Sequence, residues 1–198
     1  MRILMTAAAV VSICATSAFG GDGDILGGKA AKKMLFSHKG SEFVIVPQAF
    51  MSDSDVAVLE AMSGLKEFKS VLYYGAIAAS PKDGLIHKAT VASPSHHTLE
   101  AADRAAIKIC NGLRTGGPKC VVVAHIVPKK YAPQAFSLSA NATVALKKTY
   151  LRGDGPKAMA ISPSKGGYGI GKGEGAAKAA LAVCAADGAR DCRIVVQD

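Results

Sequence analysis

The sequence has no tryptophan, and aromatic side chains of any kind make up only 6% of its 198 residues. Proteins that hold nucleic acid interleave basic residues with stacking aromatics, so this scarcity argues against a nucleic-acid partner. There is no Cys-x-x-Cys, and the histidine and cysteine spacings fit no zinc pattern, which leaves no redox motif and no metal site to name. Long apolar runs are missing too: the one candidate, Ile3 to Ala15, is too short to span a bilayer. Carboxylates suited to acid and base work are scattered, with Asp53, Asp55, Glu60, Asp103 and Asp154 near helix caps and on helix faces. Ser80-Pro81 and Ser162-Pro163 lack the surroundings of a nucleophile elbow and read as turn formers. No catalytic residue and no cofactor is assigned from these patterns.

What is present begins with the N-terminus. Arg2, the apolar run and the small residues Thr16, Ser17, Ala18 and Gly20 read as an export signal over residues 1–20, cleaved after Ala18 or after Gly20. A lipid anchor on Cys14 competes with this reading, but Ile13 is too bulky just before the cysteine. The expected location is therefore periplasmic or secreted, in a bacterium. The formal net charge of +9 draws the folded body toward anionic lipid, acidic glycan or an acidic envelope protein. Basic residues concentrate at Lys129, Lys130, Lys147, Lys148, Arg152 and Lys157, which we take as a candidate face for such a partner.

The remainder is one unit written twice. Pro47-Gln48-Ala49-Phe50 recurs as Pro133-Gln134-Ala135-Phe136, and the stretch Ala76 to Gly84 matches Ala158 to Gly166 without a gap. Glu100 to Cys110 then matches Glu174 to Cys184, and Cys120 matches Cys192. Four blocks in the same order, drawing closer along the chain, describe a duplicated unit with deletions in its second copy. The boundaries are an N-terminal segment 21–46, a first repeat 47–132 and a second repeat 133–198. Each copy is expected to run α-β-β-α-β, giving an α+β fold.

Local signals support that order. Ser52 or Ser54, Thr98 and Ser139 can each cap a helix. Leu99, Ala102, Ala106 and Ile109 recur at helical spacing, and Glu100 and Glu174 stand where first turns favour negative charge. In each copy one cysteine ends a helix and the other begins a strand. The repeat therefore pairs Cys110 with Cys120 and Cys184 with Cys192, as structural staples.

Two motifs invite a chemical reading. Gly166-Gly167-Tyr168-Gly169-Ile170-Gly171-Lys172-Gly173 nearly spells a phosphate loop, but Gly173 stands where Ser or Thr must coordinate magnesium, so a Gly-rich hairpin is expected. His96-His97 precedes a helix and has no counterpart in the second copy, and a solvated loop is expected there. A small periplasmic enzyme between the repeats, with a polar cluster around His87, His96 and His97, is the alternative to a non-catalytic binding module. Asn141-Ala142-Thr143 fits a glycosylation acceptor but falls at a helix start.

The succession of strand, Ser-Pro, Gly turn, Ala-rich helix ending in Cys, Gly loop, Cys and Val-rich strand resembles the DUF4189 family of exported domains of unknown function. The resemblance covers about Ala76 to Val123 and Ala158 to Val196. It implies an envelope or secreted location and disulfides, and it carries no catalytic residues. Short chains with a similar Val-Val-Gln-Asp tail are sometimes labelled 5-aminolevulinate synthase. A 20.3 kDa duplicated module has neither the length of that pyridoxal-phosphate fold nor a recognisable Schiff-base lysine site.

Overall fold

The computed structural model describes residues 25–65 and 71–198, so the expected export signal over residues 1–20 lies outside the described residues. The first repeat comprises α2 (Asp53–Gly64), β2 (Gly75–Ala79), β3 (Val91–Ser93), α3 (Leu99–Leu113) and β4 (Val121–Pro128). The second comprises α4 (Ala140–Ala145), prolonged by a π-helical turn Leu146–Tyr150, then β5 (Lys157–Ile161), β6 (Tyr168–Lys172), α5 (Ala176–Ala185) and β7 (Arg193–Gln197). The α-β-β-α-β unit thus occurs twice. The N-terminal segment adds α1 (Gly28–Met34) and β1 (Ser41–Ile45).

Two antiparallel sheets result, in the orders β1-β4-β2-β3 and β6-β5-β7. Their central strands, β2 and β5, alternate faces in the same way. Ala76 and Ala78 pack on Ala102, Ala106 and Cys110 of α3, while Ile77 and Ala79 face Leu59 of α2. Ala158 and Ala160 likewise pack on Ala176, Ala180 and Cys184 of α5, while Met159 meets Leu146 and Tyr150 on the other face. Alanine opposite alanine brings one helix close to the sheet, and larger side chains fill the thicker layer opposite.

The copies share an irregularity that no sequence pattern announces. Ile77 and Ala78 pair with Ala124 and Val122, leaving Val123 as an extra residue. Met159 and Ala160 pair with Val196 and Ile194, leaving Val195 in the equivalent bulge. The N-terminal segment uses both bulges. The Val123 carbonyl accepts the Val46 N–H at 2.8 Å, and the Val195 carbonyl accepts the Leu26 N–H at 3.0 Å. Residues 25–46 therefore cover one edge of each sheet, β1 pairing with β4 and Leu26 bridging to Val196.

The helix ends refine the sequence reading. Ser52 caps α2 in a reciprocal capping box with Asp55, and Thr98 and Ser139 cap α3 and α4. Helix α3 runs past Cys110 to Leu113, and Asn111 turns back to accept the Cys120 N–H at 3.0 Å. Its buried face is Ala102, Ala106 and Cys110, so Ile109, expected in that face, is 47% exposed. Helix α5 starts later than expected because Gly175 sits in the left-handed region at φ 72°, which leaves Glu174 outside the first turn.

Both expected disulfides are formed, Cys110–Cys120 and Cys184–Cys192, closing separations of 10 and 8 residues. By loop-closure entropy each contributes about 2.5 kcal/mol. An aspartate also ties each Ser-Pro turn to the disulfide loop, from opposite sides in the two copies. Asp83, in the first turn, accepts from the Thr115 hydroxyl and from its N–H at 3.0 Å. Asp191, in the second loop, accepts from Ser162 Oγ at 2.5 Å and the Ser164 N–H at 2.8 Å. Hydrogen bonds from Thr115 and Ser80 hold the Asp83 carboxyl down at about 2.

Candidate functional site

The paired histidines are not in solvent. His96 and His97 are 5% and 1% exposed, at the seam between the copies. The cause lies in the preceding backbone, where Tyr74 and His96 exchange N–H and carbonyl bonds at 3.2 and 2.9 Å and draw the segment inward. His97 then bridges to the second copy. Its Nδ1 accepts the Ser139 N–H at 3.1 Å, which leaves Nε2 to donate to the Gly167 carbonyl at 3.0 Å. Its own carbonyl accepts from Ser137 Oγ at 2.7 Å.

Burial pushes the His97 imidazole down to about 4, so the ring is neutral at ordinary pH. With both nitrogens committed to backbone partners, it serves as a bracket between the repeats and has no free nitrogen for base chemistry. His96 Nε2 bonds Ser93 Oγ at 2.8 Å. His87 does not join this pair. It lies in the long β2–β3 connection, 3.9 Å from Asp83, with its Nδ1 accepting the Ala89 N–H at 3.2 Å. The polar cluster expected around the three histidines is therefore split.

Next to His97 the seam opens into a cavity of about 530 Å³, with walls from three parts of the chain. Leu26 and Met34 come from the N-terminal segment, Thr98 and Arg104 from the first copy, and Phe136, Ile161, Arg193 and Val195 from the second. Nothing in the sequence signals this cavity, since its wall residues lie far apart along the chain. Arg104 also borders a second concavity, of about 640 Å³, along α3. The two histidine–aspartate contacts among the described residues, His87–Asp83 and His125–Asp103, involve no lysine or arginine.

The glycine-rich stretch forms the expected hairpin, and its glycines serve packing. A Cβ on Gly169 would stand 2.2 Å from the Ala180 carbonyl oxygen, and one on Gly171 would stand 2.0 Å from that of Ala176. Strand β6 thus lets the backbone of α5 rest directly on it.

Of the expected basic residues, Lys147 and Lys148 come together with Lys32, Lys39 and His38 of the N-terminal segment. Burial, followed by Lys147, Lys148 and Lys39, lowers the His38 pKa; burial and Lys32 lower that of Lys147. Lys147 Nζ donates to the Phe36 carbonyl at 3.2 Å, and the Lys129 side chain lies over Gly40. Lys130 is exposed beside it, at φ 59°. Arg152 and Lys157 have bonds of their own: the Arg152 carbonyl accepts from Lys172 Nζ at 3.0 Å, and Lys157 Nζ donates to the Gly153 carbonyl at 2.9 Å. Lys32 and Lys39 had no motif to mark them.

Among the described residues, no group of three or more His, Cys, Asp or Glu side chains is placed to hold a metal ion. Nor is any helix there long and apolar enough to cross a membrane. Compared with protein-family models, with curated proteins and with solved structures, the chain matches none.

Proposed function

We propose that the protein is a non-catalytic exported module that binds anionic phospholipid headgroups at the envelope, through Lys32, Lys39, Lys129 and Lys148. The single observation that carries this reading is the crowding of His38 by Lys39, Lys147 and Lys148, all of one sign. Like charges held together in a folded body raise the local positive potential and so attract an anionic partner. Two disulfides are consistent with an oxidising compartment, where such a surface would meet membrane. The resemblance to DUF4189 supports the same location.

The test is sedimentation with vesicles of phosphatidylglycerol against vesicles of phosphatidylcholine. Binding is expected on the anionic vesicles alone, falling as salt rises. Each lysine near the surface contributes about 1 kcal/mol, so the exposed pair Lys39→Glu and Lys148→Glu should weaken binding at least about tenfold. Equal binding to both vesicles, or indifference to salt, would remove the proposal.

A further inference from the structure

The seam cavity has the composition of a ligand site. Its volume of about 530 Å³ falls in the range of pockets that enclose small molecules. Phe136, Ile161, Val195, Leu26 and Met34 supply apolar walls. Arg104 and Arg193, both on exposed positions, line it as well, with His97, Thr98 and Ser137, so that the cavity joins apolar walls to cationic groups within reach of water. Among the described residues neither guanidinium has a carboxylate partner, since both contacts of a basic side chain with a carboxylate are between histidine and aspartate.

The second concavity extends the same field. It shares Arg104 and adds Lys108 and Lys165 beside the exposed Ile109 and Leu113. Guanidinium groups with no carboxylate partner among the described residues, beside an apolar hollow, match a molecule with an anionic end and a hydrocarbon body. Guanidinium binds carboxylate and phosphate oxygens in a planar fork, and water-exposed alkyl groups gain from the apolar walls. We propose that this cavity binds a single-chain amphiphile with an anionic head, the head held by Arg104 and Arg193 and the chain lying along Phe136, Ile161 and Val195.

This site uses none of the lysines assigned to the membrane surface, and its test contains no vesicles, so either proposal can fail alone. Purified protein stripped of bound lipid is titrated calorimetrically with dodecanoate, dodecyl phosphate, dodecanol and dodecylamine, all below their aggregation concentrations. Saturable one-to-one binding is expected for the two anions, and the tighter of them identifies whether a carboxylate or a phosphate head suits the arginines better. Dodecanol and dodecylamine should bind at least about tenfold more weakly, the size of a lost charge-assisted hydrogen bond.

Arg104→Gln with Arg193→Gln should bring the anions down to the dodecanol level and leave dodecanol itself unchanged, which also shows that the fold is intact. Ala135→Trp, at an exposed position on the cavity wall, should block every ligand. The proposal is overturned if neither anion saturates, if dodecanol binds as tightly, or if the arginine variant keeps its affinity. It is also overturned if acetate and inorganic phosphate compete as well as the dodecyl ligands, because the apolar walls would then contribute nothing.

Discussion

At the residue scale, His97 is the side chain whose chemistry matters most to the fold. It is neutral because burial disfavours its charge, and it is fully used because each ring nitrogen meets a backbone group of the second copy. Its folded pKa, about 4, lies below the ordinary imidazole value of 6.5. The unfolded chain therefore binds the extra proton first as pH falls. The stability due to His97 is complete above pH 6.5, declines as pH drops from there, and is lost by about pH 4. The shift corresponds to roughly 3 kcal/mol. The pKa of His96 is lowered by burial and then by Arg104, so it adds to the trend with the same sign. Denaturant titrations at pH 7 and pH 4.5 should show this loss in the wild type and a much smaller one in His97→Ala. That variant should also be weaker at pH 7 by about 2–4 kcal/mol, through the cavity and the Ser139 N–H left without a partner, since the Gly167 carbonyl keeps the Ser162 N–H. An unchanged pH dependence in His97→Ala would mean the acid sensitivity lies elsewhere.

At the scale of elements, the two copies reach the same architecture by different local means. The first copy places β3 beside β2 after a long connection, and its helix α3 packs mainly through alanines. The second has a short hairpin, and its strand β6 meets α5 backbone to backbone at Gly169 and Gly171. This explains a sequence that looks like a nucleotide loop without being one: the glycines are spaced by two because only one face of the strand touches the helix. Gly171→Ala would drive a methyl group into the Ala176 carbonyl. It should cost about 2–4 kcal/mol, read as a fall in the thermal midpoint, with Gly173→Ala as a comparison because open space surrounds that position and the cost there comes from φ 78° alone. Equal losses at the two positions would contradict the packing role. The repeat made these elements legible in advance, but the strand's contact with the helix is a distance and had no signature beyond the glycines themselves.

At the scale of the molecule, the copies are joined by a seam that neither contains alone. Tyr73, Tyr74 and Ala140 form a buried cluster, the Ala140 N–H bonds the Tyr73 carbonyl at 3.2 Å, and His97 brackets the other side. The N-terminal segment adds a second tie by covering an edge of each sheet. Calorimetry should accordingly show one unfolding transition with equal calorimetric and van't Hoff enthalpies, whereas two resolved transitions would show that the copies unfold independently. The sequence by itself determined the duplicated α-β-β-α-β order, the caps at Thr98 and Ser139, and the pairing of Cys110 with Cys120 and Cys184 with Cys192. These follow from neighbours in the chain and from self-comparison, and both are local information. Only the tertiary structure decided that His96 and His97 are buried and that Lys32 and Lys39 join Lys147 and Lys148. It alone also decided that Arg104 and Arg193 face one cavity. Each of those results depends on how two copies and a preceding segment pack together, and packing between distant segments leaves no periodic trace in the sequence.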